Sequence, residues 1–209
     1  MDSPTTIHQS EIPGGPSSAI VHYYSLEEIE VMELNFRAAL PPEPFAVGMS
    51  VKLAKSGPGI HTLALATEDQ VFCLSLQHRP SREQKVTLQR LLDIQYLTGF
   101  ELPYAAMLLA HALGFEVFGL DLSTLKKGII TPGNFLNAKS VHVSARNINE
   151  LWDGVILKGS GPNSDGTPEP DYALRAWLTA MYVTVTPPAS FFDPSIPVAL
   201  LKWLSKICH

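Results

Sequence analysis

Alternating apolar and polar positions dominate the first half of the chain. Residues 46–52 read AVGMSVK and residues 60–76 read IHTLALATEDQVFCLSL. A short Gly/Pro link joins these runs, which predicts a hairpin. The second run breaks at Thr67-Glu68-Asp69-Gln70 and resumes as VFCLSL, so three consecutive strands are expected at about 45–53, 60–66 and 71–76. Upstream, AIVHYY at 19–24 predicts a strand and SLEEIEVMELNFRAAL predicts a helix. Ser25 and Glu28 have the spacing of a capping box; Leu26, Ile29, Met32, Leu34 and Phe36 supply the apolar stripe, and Pro41-Pro42 end the helix.

Downstream, residues 81–93 predict a helix with Val86, Leu88, Leu91 and Leu92 as its apolar positions. IQYLTGF predicts a short strand. Leu102 to Leu113 predicts an apolar helix ending at Gly114, a natural C-cap, and FEVFGLDL predicts another strand. Residues 159–170 (GSGPNSDGTPEP) are expected to form a mobile loop. A helix is expected over 171–184, stopped by Pro187-Pro188, and IPVALLKWLSKI predicts a last short amphipathic helix. Strands alternating with helices after a leading three-stranded meander predict an α/β domain, its sheet antiparallel on one side and parallel on the other.

Composition narrows this picture modestly. At 209 residues, 45% hydrophobic and 17% charged, the chain can build one full core. The expected organisation is a disordered lead-in over 1–18 followed by a single domain over 19–209. No apolar run approaches the roughly 18 residues that span a bilayer, and the polar, Pro-rich start lacks the features of a secretory signal. Two cysteines, Cys73 and Cys208, do not make a disulfide framework. These features point to an intracellular chain and do not separate nucleus from cytoplasm. The net charge of −5 is unevenly spread: residues 1–44 carry −6 and residues 45–209 carry +1. A neutral body neither requires nor excludes nucleic acid.

The strands and helices resemble, in order and spacing, the 3′-to-5′ exonuclease domain of the RNase H-like superfamily. IHTLALATEDQVFCLSL is similar to the family's second and third strands, an Ile-x-Leu-x-Gln-Leu-Ala-Thr run before a charged turn and a Val-Phe-x-x-Asp-Leu strand. LTGFELPYAAMLLAHALGFEVFGLDLSTL resembles the segment in which a Gly-Phe strand end leads into a helix carrying the second catalytic Asp, then a Gly-x-x-Val-x-Gly-x-x-Asp-Leu strand. DYALRAWLTAMYV resembles the last helix, with the pattern Tyr-Ala-Ala-x-Asp-Ala. The resemblance covers residues 19–185, with 126–170 loosely placed. It implies an RNase H-like mixed sheet, a three-stranded antiparallel meander plus parallel strands, flanked by helices.

That family holds two Mg²⁺ or Mn²⁺ ions with four carboxylates. Carried over residue by residue, the first Asp falls on Ser50, the Glu on Lys52, the second Asp on Ala105 and the last Asp on Arg175; the family's tyrosine falls on Asp171. Every carboxylate is replaced, two of them by cations. Two-metal phosphodiester cleavage needs oxygen donors that neutralise the ions. A unit positive charge about 4 Å from a divalent ion costs on the order of 8 kcal/mol at an effective dielectric of about 20. No metal cofactor and no catalytic residue are therefore expected.

Other constellations are weak. The seven histidines show no zinc spacing, and His111 on an apolar helix reads as a packed or edge residue. GSGPNSDG lacks the Lys-Ser/Thr of a phosphate loop, and no nucleophile elbow is present. Asp69 and Asp121 are not expected to ligate a metal. Lys52 and Arg175 instead suggest a positive site that binds a phosphate without cutting it. The leading expectation is a pseudoenzyme that retains weak binding of single-stranded nucleic acid through Lys52 and Arg175. The alternatives are a protein-interaction module on the same fold, docking a protein partner through the acidic helix 26–40, the acidic tail segment or the C-terminal helix, and an active exonuclease with a rearranged metal site. No membrane association is expected.

Overall fold

Among the described residues, the meander expected from the alternating runs forms the middle of a seven-stranded sheet. In the computed structural model, residues 5–8, 18–40, 47–54, 59–76, 78–93, 97–100, 102–114, 116–117, 119–122 and 172–184 are described. The strands are β1 (Thr5–His8), β2 (Ser18–Tyr24), β3 (Val47–Leu53), β4 (Ile60–Ala66), β5 (Gln70–Ser75), β6 (Leu97–Gly99) and β7 (Leu120–Asp121). The helices are α1 (Ile29–Ala39), α2 (Arg82–Leu92), α3 (Leu102–Leu113) and α4 (Tyr172–Thr184). Spatial order is β1-β2-β5-β4-β3-β6-β7. β3, β4 and β5 pair antiparallel, whereas β2 joins β5, and β6 joins β3 and β7, in parallel. This is the RNase H-like mixed sheet.

Some local expectations change. The lead-in over 1–18, expected to be disordered, contributes β1, which pairs antiparallel with β2 from Thr5↔Val21 to His8↔Ser18. The helix expected from Leu26 begins as a 3₁₀ turn, Leu26–Glu28, before α1. Its capping box forms: the Glu28 carboxylate accepts from Ser25 N at 2.9 Å and Ser25 Oγ at 3.1 Å. These bonds hold the Glu28 carboxyl below its ordinary value. The loop at 159–170 and the C-terminal helix lie outside the described residues.

One expected member of each apolar stripe faces outward, while Leu26, Ile29, Met32 and Phe36 and Leu88, Leu91 and Leu92 are buried as expected. Leu34, read as core, is 71% exposed, and Val86 on α2 is 50% exposed. The inward positions of α1 are Ile29, Met32, Glu33 and Phe36, spaced i, i+3, i+4, i+7. A carboxylate thus occupies a core position. Glu33 Oε2 accepts from Arg90 Nη2 at 2.7 Å, and Glu33 Oε1 accepts from Arg90 Nε at 2.9 Å and Arg37 Nε at 3.2 Å. Arg37 Nη2 also donates to the Arg90 carbonyl at 3.0 Å, so the cluster bolts α1 to α2. Hydrogen bonds from Arg90, against the opposing effect of burial, hold the Glu33 carboxyl below its usual range.

The two faces of the sheet are unlike. Met49, Leu63, Leu65, Phe72 and Leu74 form one apolar cluster with Leu26, Ile29, Met32 and Phe36 and with Leu88, Leu91 and Leu92. Leu65↔Phe72 and Leu63↔Leu74 are direct cross-strand partners there, and Phe36 meets Phe72 edge-on at 5.3 Å. The alternate residues, Gly48, Ser50, Ala64 and Ala66, are small. Gly48↔Ala66 and Ser50↔Ala64 are paired across β3 and β4, which puts them on the other face, under α4.

Candidate functional site

Successive strand residues point to opposite faces, so Gly48, Ser50 and Lys52 share one face of β3. A Cβ on Gly48 would run into the Ala176 carbonyl oxygen and lie 2.5 Å from Ala180 N. The backbone of α4 therefore rests directly on β3, and only glycine permits that approach. Ala173, Ala176 and Ala180 are buried along the same helix, as are Trp177 and Leu178. Trp177 ties α4 to the sheet: its Nε1 donates to the Glu68 carbonyl in the β4–β5 turn at 2.7 Å.

With α4 held in this way, its first residue, Tyr172, stands beside the far part of β3. Lys52 Nζ is 5.9 Å from the centre of the Tyr172 ring. Arg175 Cζ is 5.5 Å from the same centre. Both cations are within cation–π range of one aromatic face system. Ser50, Lys52, Tyr172 and Arg175 are all half-buried, reachable by solvent yet backed by the domain.

The structure thus brings Lys52 and Arg175 to one ring and sets Ser50 between them and Gly48 on the same strand face. Ala105 is 6% exposed on α3, in the apolar cluster that contains Met49 and Leu109. Asp171 lies outside the described residues. Asp69 is in the β4–β5 turn, accepting from Thr67 Oγ1 at 3.2 Å, and Asp121 pairs with Gly99 in the β6–β7 ladder. His111 is exposed on α3. Among the described residues, no three His, Cys, Asp or Glu side chains are grouped closely enough to hold a metal ion. Also among them, no helix is long and apolar enough to cross a membrane.

Sequence reading missed Tyr172. A signal was present, because the Tyr-Ala that opens the family's last-helix pattern occurs unshifted as Tyr172-Ala173.

The chain resembles the EXO domain of Aedes aegypti Nibbler, with a TM-score of 0.52 at 13% identity over 88% of this chain and 94% of that one. The fold is that of a 3′-5′ exonuclease domain. The EXD2 exonuclease domain soaked in Mg is also similar to this chain (TM-score 0.43, 17% identity, 90% of this chain and 95% of that one). So is the EXD2 exonuclease domain soaked in Mn and Mg (TM-score 0.41, 22% identity), where the match spans 50% of this chain and little more than half, 56%, of that one. No protein-family model matches the chain, and no curated protein sequence does. The exonuclease fold is therefore carried by structure, at identities too low to carry the chemistry with it.

Proposed function

We propose that this chain is a catalytically degenerate 3′-5′ exonuclease-like domain that binds single-stranded nucleic acid weakly and does not cut it. The observation that supports this most is the placement of two cations, Lys52 and Arg175, on one half-buried ring where strand β3 meets helix α4. On the family resemblance, that junction is where carboxylates would hold two divalent ions. The donors here do not fit such ions. Ser50 offers one neutral oxygen, Ala105 none, and Lys52 brings an ammonium where a carboxylate is needed.

The last helix gives the same answer in either register. Laying the family's Tyr-Ala-Ala-x-Asp pattern on Asp171 puts the carboxylate position at Arg175; laying it on Tyr172 puts that position at Ala176. The second register is favoured by Tyr172 lying beside Lys52 and by the Ala176 backbone resting against Gly48. Neither Arg175 nor Ala176 is acidic, so the metal-binding set is lost both ways. What remains is positive charge, which attracts phosphate without activating water.

The test is calorimetric titration with Mn²⁺, then labelled single-stranded DNA and RNA, with strand length monitored in the same samples. No metal uptake, no shortening and salt-sensitive binding that disappears in Lys52→Glu/Arg175→Glu are expected. Metal uptake with 3′ shortening would sink the proposal and restore an active nuclease. Silence in all arms would leave the protein-interaction reading, which exposed Val31 and Leu34 on the acidic helix α1 favour.

A further inference from the structure

We infer that Tyr172 is the positioning residue of this site, holding Lys52 and Arg175 as one metal-independent seat for the phosphodiester backbone. The inference rests on the nucleic-acid-binding reading above and adds what organises the site and what it reads. The two cations come from different elements, β3 and α4, and each sits at the end of a long, freely rotating side chain. Left to rotamer entropy, such heads spread into solvent. Here they lie 5.9 and 5.5 Å from the centre of one ring. The electron-rich ring is one of the contacts each head makes, and it attracts both.

The ring sits on an anchored helix. The close contact of α4 with Gly48 and the Trp177 hydrogen bond to Glu68 fix the helix on which Tyr172 sits. Two like charges gathered on one ring make an anion-binding arrangement whose charge does not depend on a bound metal. The matching ligand is a phosphate of a nucleic-acid backbone, contacted through charge and not through base edges. Phosphate contacts position a strand and carry no base sequence.

The experiment measures binding of the full chain to labelled oligo-dT, oligo-dA and oligo-U by fluorescence anisotropy, at several salt concentrations and with EDTA present. The three strands should bind within about threefold of one another. For two phosphate contacts the slope of log affinity against log salt should be about −1.4. Tyr172→Phe keeps the ring and should bind within about twofold of the parent. Tyr172→Leu should bind about fivefold more weakly, with a shallower salt slope. Melting temperatures report whether each variant folds.

A Tyr172→Leu variant that folds and binds like the parent would overturn the inference while leaving nucleic-acid binding intact. If Tyr172→Leu fails to fold, Tyr172→Phe decides, because loss of binding with the ring retained is incompatible with a cation–ring role. Binding abolished by EDTA would refute metal independence. No binding by the parent chain to any strand would remove the underlying reading together with this inference.

Discussion

The two faces of this sheet solve opposite packing problems with residues that alternate along the same strands. Under α1 and α2 the face is built of Met49, Leu63, Leu65, Phe72 and Leu74, and stability comes from apolar area removed from water. Under α4 the face is built of Gly48, Ser50, Ala64 and Ala66, and little side-chain volume separates helix from strand. The first face is vulnerable to losing atoms. The second is vulnerable to gaining them. The difference locates the candidate site: close backbone approach of α4 to β3, and not a large apolar core, brings the Tyr172 ring beside Lys52.

Substitutions on each face should break the comparison in opposite directions. Leu65, fully buried between Met49 and Phe72 in the cross-strand row, is on the large-residue face. Leu65→Ala should cost about 2–5 kcal/mol in urea unfolding, through lost burial and the cavity left behind. It should leave the Lys52–Tyr172–Arg175 geometry, and so oligonucleotide binding, unchanged in whatever fraction is folded. Gly48→Ala adds a single methyl on the other face. Because that methyl would meet the helix backbone and not a flexible side chain, the cost should be about 1–3 kcal/mol, towards the upper end. It should also lift α4, raising amide exchange over 172–184 and weakening oligonucleotide binding. A Gly48→Ala protein as stable as the parent would show that α4 does not rest on β3.

Much of this architecture was legible in the sequence because it is local. The meander, the helix boundaries and the capping box at Ser25 and Glu28 follow from alternation, turn residues and caps within a few positions of one another. The errors have physical causes. Leu34 and Val86 are apolar but sit off the 3.6-residue face, so they remain exposed. Glu33 was invisible as a core residue because its partner Arg90 is 57 residues away. β1 was missed because its apolar content is small and its reason to exist is pairing with β2. At the site, Lys52 and Arg175 were anticipated from a family pattern. Tyr172 was passed over because the pattern was laid on Asp171, and its place beside Lys52 follows from α4 resting on β3, a contact between distant parts of the chain.

Glu33 sharpens the comparison by testing a polar link on the large-residue face. Its side chain is 12% exposed, whereas those of Arg37 and Arg90 are 50% and 52% exposed, so solvent screens part of the pairing. Glu33→Gln should therefore cost about 1–2 kcal/mol at neutral pH. The folded Glu33 carboxyl titrates below the ordinary value of 4.5, so its contribution is fully present above that value and is lost as pH falls through the lower, folded one. The stability gap between parent and Glu33→Gln should be constant from about pH 6 to 8 and should close below about pH 4.5. A gap that persists unchanged to pH 3 would mean the network acts by shape and not by charge.

The smallest expected effect concerns what keeps α4 in register on the small-residue face. Trp177 is fully buried, so its bulk and its hydrogen bond to Glu68 both contribute, and they can be separated. Trp177→Phe retains an aromatic ring in the same place but removes the indole N–H, leaving the turn carbonyl without that donor. The cost of the missing bond should be about 1 kcal/mol, with the smaller ring adding to it. More telling is where the effect appears. If the bond sets the helix position, Trp177→Phe should lower oligonucleotide affinity in the same direction as Tyr172→Leu, because Tyr172 stands on the helix that Trp177 anchors. If stability falls while affinity is untouched, then the Gly48 contact alone positions α4, and Trp177 serves the core of that face.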